Sequence, residues 1–314
     1  MPPVLYVIIL NWNHKEDLIL TIDSFLNQDY SNFKIVVADN GSTDGSIEYI
    51  KMGHADVILI ENSENLGYAA GNNRAIEYAL SQNADFVLLA NNDIFLDNPN
   101  LISKIMDEIQ SYEIGNIGIY GIQERNYYLQ NKVESEGLLL FDDFSTPKIQ
   151  FNIIRVQIAE DLPYPAKYVD FVPGSFILIK SEVFKKCGLL DEAFFMYHEE
   201  AEFCFRAWIH NFKVVVNPSL QYYHKVAQSS GNRSPFSIYY RLRNNYYFLF
   251  KHKRDIKHYR FFLFLLTYRN LIGFLKLTIL LFFKINRNKD IWKAQLIAYK
   301  DVFMGNYFKQ NKVD

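Results

Sequence analysis

Residues 4–10, 33–38, 57–60 and 86–90 are short apolar runs, and each leads into a helical pattern, at 15–28, 44–51, 68–81 and 99–111. This alternation limits the fold more than any other feature of the chain, because it is the rhythm of βαβ units: a mostly parallel sheet with helices on its faces. Right-handed crossovers put the C-terminal ends of all four strands on one edge. Those ends are Asn11-Trp12-Asn13, Asp39-Asn40-Gly41-Ser42, Glu61-Asn62 and Asn91-Asn92-Asp93. Together they make one polar crevice, at the edge where open α/β sheets bind ligands. Any one of them is equally explained as a turn or a helix cap, since Asn and Asp favour both for local reasons. Asp44 is most simply an N-cap.

Asp93 ends the most abrupt of these runs, and a carboxylate there can hold a hard cation and, through it, a phosphate. Gly67, Gly71 and the Gly-rich stretch 41–45 match neither the Walker A loop nor the dinucleotide fingerprint, so phosphate binding at a Gly-rich helix start is not indicated. A cation or Arg/Lys side chains would have to take that part. Residues 122–168 have weak periodicity and predict a β-rich or irregular excursion over the crevice, where binding loops commonly sit. Strands are expected at 168–172, 175–180 and 213–216, with a helix from Ser181 and another beginning near Glu199, Glu200 and Glu202. Acidic residues in a first helical turn are favoured by the macrodipole. Equally, such a carboxylate can serve as a general base. His224 can pair with Asp93 around Mn²⁺ or Mg²⁺. Arg241 and Arg243 suit either a bidentate diphosphate contact or a solvated helix face.

Net charge is only −2, but residues 251–314 hold 14 Lys+Arg against 4 Asp+Glu, a balance of +10, which leaves −12 on the remainder. An acidic body with a basic tail rich in Phe and Leu suggests contact with an anionic membrane surface rather than with nucleic acid. Arg269, Asn270 and Lys276 interrupt the apolar runs 261–266 and 277–283, so neither reaches the ~20 residues of a spanning helix. Cys187 and Cys204 give no disulfide framework and are expected as buried thiols in a reducing compartment. Residues 4–10 lack a basic leader and a cleavage site, and are expected as a first strand in a cytoplasmic protein.

In order along the chain, Val7-Ile8-Ile9-Leu10-Asn11-Trp12-Asn13, Val36-Val37-Ala38-Asp39-Asn40-Gly41-Ser42-Thr43-Asp44-Gly45-Ser46, Asn65-Leu66-Gly67-Tyr68-Ala69-Ala70-Gly71-Asn72-Asn73, Asn91-Asn92-Asp93, Pro173-Gly174-Ser175 with Gly188-Leu189-Leu190-Asp191-Glu192, and Glu199-Glu200-Ala201-Glu202-Phe203-Cys204-Phe205-Arg206 resemble the motifs of the family 2 glycosyltransferases. The resemblance implies the GT-A nucleotide-diphospho-sugar transferase fold over residues 1–230, with a nucleotide-binding half at 1–121 and an acceptor-side half at 122–230. Residues 231–314 would form a helical, basic and aromatic C-terminal region. The second and third motifs and residues 294–305 look most like the rhamnosyltransferase-like subset that builds cell-surface polysaccharide.

That family implies an inverting transfer of a sugar from a nucleotide-diphospho-sugar to a hydroxyl of a glycan or lipid-linked acceptor, at the inner face of the cell membrane. Asp39 would bond the nucleotide base, with Asn11, Asn40, Asn65, Asn72, Asn91 and Asn92 lining the donor pocket. Asp93 and His224 would hold Mn²⁺ or Mg²⁺ on the diphosphate, with Arg243 as a further diphosphate contact. Glu200 stands where the family has its Asp base, and Gly174, Ser175, Asp191 and Glu199 fall on the acceptor side. The chain departs from the pattern twice: Asn91 and Asn92 replace acids of the metal motif, and the base is Glu. Two rivals stand beside this reading. A nucleotide-sugar-forming nucleotidyltransferase needs a basic loop after the first strand, where 11–16 supplies only Lys15. A non-catalytic transferase-derived module would not need Asp93, Glu200 and His224.

Overall fold

The computed structural model describes residues 2–111, 116–137, 165–225, 234–256, 258–282 and 289–307. The expected excursion over the crevice falls largely on 138–164, outside the described residues. The chain divides into two compact units, the first of Met1–Leu190 and Glu200–Val226, the second of Asp191–Glu199 and Ala227–Asp314.

In the first unit, strands β1 (Leu5–Asn11), β2 (Phe33–Asp39), β3 (Ile58–Glu61) and β4 (Phe86–Asn91) alternate with helices α1 (Lys15–Leu26), α2 (Ser46–Gly53) and α3 (Gly67–Ser81). All four strands are parallel, in the order β3-β2-β1-β4. The reason is visible in β1. Leu5, Val7 and Ile9 enter one core with Leu18, Ile22 and Phe25 of α1 and with Ile102, Ile105 and Met106 of α4 (Leu101–Ser111). Tyr6 and Ile8 enter the other, with Ala69, Ala75 and Ile76 of α3. Successive side chains of a strand point to opposite faces, so a strand covered on both sides must be apolar throughout. At about 1.5–3 kcal/mol for each large side chain buried, this two-sided core outweighs any local preference of the strands.

Beyond β4 the sheet becomes mixed. β9 (Phe176–Lys180) runs antiparallel to β4 and to β6 (Ile117–Asn126); β10 (Lys213–His224) runs parallel to β6 and carries β5 (Ile94–Phe95) on its far edge. β7 (Val133–Ser135) joins β6, and β8 (Lys167–Tyr168) joins β10. Two expectations change here. The strand predicted at 168–172 shortens to two residues, whereas the one predicted at 213–216 continues to His224 after a register shift between Asn217 and Gln221. Helices α5 (Ser181–Cys187) and α6 (Glu199–Ile209) complete the layer. Cys204 is buried and its thiol is pushed up by desolvation, but Cys187 is partly exposed, contrary to expectation.

The second unit holds helices α7 (Pro235–Lys251), α8 (Tyr259–Phe282) and α9 (Lys289–Met304). Pro235 starts α7, where its fixed φ suits a first helical position, and Ser234 caps it by accepting from Ser237 N. The two apolar runs read as separate in the sequence share one helix as far as Phe282, and Tyr259–Ile279 is long and apolar enough to cross a membrane by length and composition.

Candidate active site

The polar strand ends are tied to one another. Asn11 Nδ2 donates to Asp39 Oδ2 at 2.8 Å and to Ser42 Oγ at 3.1 Å, while its Oδ1 accepts from Asn92 Nδ2 at 2.7 Å. Ser42 N donates to Asp39 Oδ1 at 2.7 Å. Asn40 accepts from Asn62 and donates to Asn65 and to the Gly67 carbonyl. Asn65 in turn accepts from Gly67 N at the start of α3. A methyl group at Gly71 would lie 2.6 Å from a Leu10 methyl and 2.7 Å from Asn40 Oδ1, so only glycine lets α3 come this close. Asp44 accepts from Ser46 N, although the cap position itself is Gly45.

Burial sorts the expected donor residues into two groups. Asn11, Asp39, Asn40 and Asn72 are buried, whereas Asn65, Asn91, Asn92 and Asp93 are partly open to solvent. The buried group organises the rim that the open group presents. Asn72 Nδ2 turns back to the Tyr68 carbonyl, leaving its Oδ1 without a partner among the described residues.

Asp93 lies in the turn between β4 and β5, pinned from behind by Thr21, whose hydroxyl lies 2.8 Å from the carbonyls of Asn92 and Ile94. Because β5 pairs with the end of β10, His224 is brought to the same place: its Nε2 lies 3.0 Å from Asp93 Oδ1. That oxygen is buried and makes no aligned hydrogen bond. The other ring nitrogen, Nδ1, lies 2.5 Å from Glu124 Oε1. Burial alone would lower the imidazole pKa, but the two carboxylates outweigh it and hold His224 up at about 10. Sequence reasoning missed Glu124, which sits inside a strand with no motif around it.

Glu200 reaches this edge through Pro173-Gly174-Ser175. Asn91 N donates to the Ser175 carbonyl at 3.1 Å, and a methyl at Gly174 would lie 3.5 Å from Glu200 Cβ and 2.9 Å from the Tyr68 hydroxyl. Glu200 is half-buried in the first turn of α6. Glu202, by contrast, is fully buried and pairs with Arg206, which also donates to the carbonyls of Cys187 and Leu189. The Ser175 hydroxyl is committed to Tyr222 at 2.6 Å, so its part here is structural.

In the second unit the structure gives Asp191 and Arg243 other work than the expected one. Asp191 accepts from Ala193 N and from the Tyr247 hydroxyl and pairs with Lys251, so its carboxylate is occupied as a cap and anchor. Glu199 is buried at the first position of α6, unlike its neighbour Glu200. Arg243 is fully buried and donates to the carbonyls of Ala193 and Phe194 at 2.7 Å, which leaves no face for a diphosphate.

A family model for glycosyl transferase family 2 matches residues 6–188. The chain belongs to that family. The low-salt glycan biosynthesis hexosyltransferase Agl10 of Haloferax volcanii is 30% identical over 67% of the chain and 63% of its own length, so the likeness spans under two-thirds of that relative. The N-acetylglucosaminyl-diphospho-decaprenol L-rhamnosyltransferase of Mycobacterium tuberculosis is 26% identical over 65% of the chain and 69% of its own length. In fold, the chain is similar to the mannosyltransferase PcManGT of Pyrobaculum calidifontis, solved with GDP-Man and Mn²⁺, with a TM-score of 0.60 at 14% identity, covering 97% of the chain and 88% of PcManGT. The GT-A fold expected from the motifs is therefore the fold of this family 2 member. The match stops at residue 188, so the family model covers the polar strand ends up to Asp93 but not Glu200 or His224.

Proposed function

We propose that this family 2 member is an inverting, metal-dependent glycosyltransferase that moves a sugar from a nucleotide-diphospho-sugar to a hydroxyl of a glycan or lipid-linked acceptor. The observation that carries the reading is the approach of His224 to Asp93 through β5; Glu200 is assigned on its place against Gly174, next to the Ser175 carbonyl that holds Asn91. Asp93 Oδ1 and His224 Nε2 lie 3.0 Å apart, and the unaligned, buried Oδ1 fits a group built for a further partner. Among the described residues, no three His, Cys, Asp or Glu side chains are arranged to hold a metal. Asp93 and His224 would therefore share the cation with diphosphate oxygens and water. When bound, Mn²⁺ or Mg²⁺ offsets charge on the departing diphosphate. Asn91 and Asn92 line the donor beside it, and Glu200 takes the proton of the acceptor hydroxyl as that oxygen attacks the anomeric carbon from the opposite face.

The acceptor is proposed to be lipid-linked, in cell-surface polysaccharide synthesis at the cytoplasmic face of the membrane. Support comes from α8, where Phe261, Phe264, Tyr268, Leu271, Leu275 and Ile279 are each at least 45% exposed. Their spacing of three and four residues places them on one helical face. The helix carries Arg260, Arg269 and Lys276 and no acid. An apolar face with only positive charge suits an anionic headgroup layer, and the same charge opposes pairing with a second copy.

The test is donor binding and turnover with a panel of nucleotide sugars and Mn²⁺. Asp93→Ala is expected to weaken metal-dependent nucleotide binding at least tenfold. Glu200→Gln is expected to keep donor binding and lose about 10²–10⁴-fold in transfer rate. Undiminished metal-dependent binding in the first variant, or retained turnover in the second, would overturn the assignment.

A further inference from the structure

Glu124 lies on β6, 7% exposed, and a carboxylate so buried needs a partner to offset its lost hydration. Its partner is His224 Nδ1 at 2.5 Å. The two strands fix this meeting: β6 and β10 are parallel, with Tyr222 opposite Glu124 and His224 opposite Asn126. Tyr222 is itself fixed by its stacking on Phe176, 5.1 Å between ring centres, and by the Ser175 hydroxyl. His224 is thus gripped between two carboxylates through opposite ring nitrogens, Glu124 on Nδ1 and Asp93 on Nε2.

The two contacts are chemically different. A neutral imidazole has one N–H donor and one lone pair, and an ionised carboxylate only accepts. The short contact to Glu124 requires the donor at Nδ1, which leaves Nε2, 3.0 Å from the buried Asp93 oxygen, as the nitrogen available to a cation. Metal-bound histidines are commonly held in this way by a carboxylate on the nitrogen away from the metal.

We propose that Glu124 is a positioning residue: by accepting from Nδ1–H it fixes the tautomer and ring orientation that turn Nε2 of His224 and Oδ1 of Asp93 toward a common cation. The proposal rests on the reading of Asp93 and His224 as metal ligands given above. It also bears on the departure noted in the metal motif. Where amides stand at 91 and 92, a preset histidine provides the second ligand that a second acid would otherwise supply.

The test is Mn²⁺ affinity of the full chain, measured from the free-ion electron paramagnetic resonance signal with Mn²⁺ alone and with added pyrophosphate, for wild type, Glu124→Gln and Glu124→Leu. The expected result is a graded loss, smaller for Gln, which still accepts a hydrogen bond, and about 10–100-fold for Leu. Nitrogen-15 spectra of histidine-labelled protein loaded with diamagnetic Mg²⁺ and pyrophosphate should show His224 protonated at Nδ1. Wild-type affinity in a folded Glu124→Leu, or protonation at Nε2 in the loaded protein, would overturn the role of Glu124 while leaving the metal reading standing. A wild type that binds no Mn²⁺ under either condition would overturn both. If the Leu variant does not fold, the nitrogen-15 assignment and the Gln variant decide the question.

Discussion

At the strand ends of the first unit, side chains hold side chains: Asp39 of β2, Asn11 of β1 and Asn92 in the turn after β4 form one chain of hydrogen bonds. In the second unit, the loop Asp191–Glu199 is held by side chains that grip its backbone. Asn244 Nδ2 lies within 3.0 Å of the carbonyls of Phe194, Met196 and Tyr197, and Arg243 takes those of Ala193 and Phe194. Phe195, Tyr197 and His198 all have left-handed φ, between 62° and 72°, a conformation that β-carbon-bearing residues rarely adopt. Such backbone persists only where its surroundings over-determine it. The difference is one of source. The strand-end network is assembled wherever parallel strands end together, whereas the loop that leads into Glu200 depends on two adjacent residues of α7.

Breaking the second arrangement should cost most. Arg243→Met removes the buried donor to the Ala193 carbonyl and to Asn244 Oδ1, and one of the two donors to the Phe194 carbonyl. An expected loss of about 3–5 kcal/mol in urea unfolding follows from removing one partner of a buried charged network. A loss below about 1 kcal/mol, or a selective fall in nucleotide binding with stability intact, would break the comparison and return Arg243 to the diphosphate. His198, whose ring burial and the nearby Arg241 push down to a pKa of about 4, stays neutral near pH 7 and adds no charge to this loop.

Breaking the first arrangement should cost less in stability and more in binding. Asn11→Ala removes the donor to Asp39 and the acceptor of Asn92, and about 1–3 kcal/mol is expected for leaving such buried groups unsatisfied. Because Asn92 is the member of this chain that reaches solvent, nucleotide diphosphate affinity measured by calorimetry should fall with it. Unchanged affinity would show that the rim keeps its shape without the buried network.

The same contrast explains what the sequence made legible. The parallel half of the sheet could be read because two-sided burial forces apolar runs of strand length, and their polar ends named the crevice. Asp93 and His224 are both legible, one as the end of such a run and one as a histidine beyond a strand that the family resemblance turns into a metal ligand. Glu124 was not, since a carboxylate inside a strand carries no local signal until the neighbouring strand is placed; only the register of β6 and β10 reveals its use. Arg243 was misread for a related reason. Its sequence neighbours are tyrosines and amides on a helix, and nothing local says that its guanidinium is buried against carbonyls some fifty positions back. The two apolar runs of the tail were separated by Arg269 and Lys276 in sequence, yet a helix of 24 residues tolerates both at its sides.

That helix gives the smallest expected effect on stability and a sharp one on location. At about 1.5 Å per residue α8 is long enough to span an apolar layer of about 30 Å, but each mid-helix cation placed there would cost about 2.5–3.5 kcal/mol. Lying in the headgroup plane avoids that cost and uses the stripe directly. Phe262 and Leu266 are buried, and Phe274 stacks on Trp292 of α9 at 5.9 Å, so the exposed face can change without disturbing the packed one. Phe264→Ser, Leu271→Ser and Leu275→Ser are each expected to shift stability by no more than about 0.5 kcal/mol. Combined, they should abolish co-sedimentation with anionic vesicles, which in the wild type should weaken as salt rises. Alkaline extraction should release the wild type from membranes, as a surface-bound helix requires. Resistance to extraction would make α8 a spanning helix. Anionic-vesicle binding unaffected by the triple substitution, or a wild-type dimer in sedimentation velocity that the substitutions dissolve, would assign the stripe away from the lipid surface.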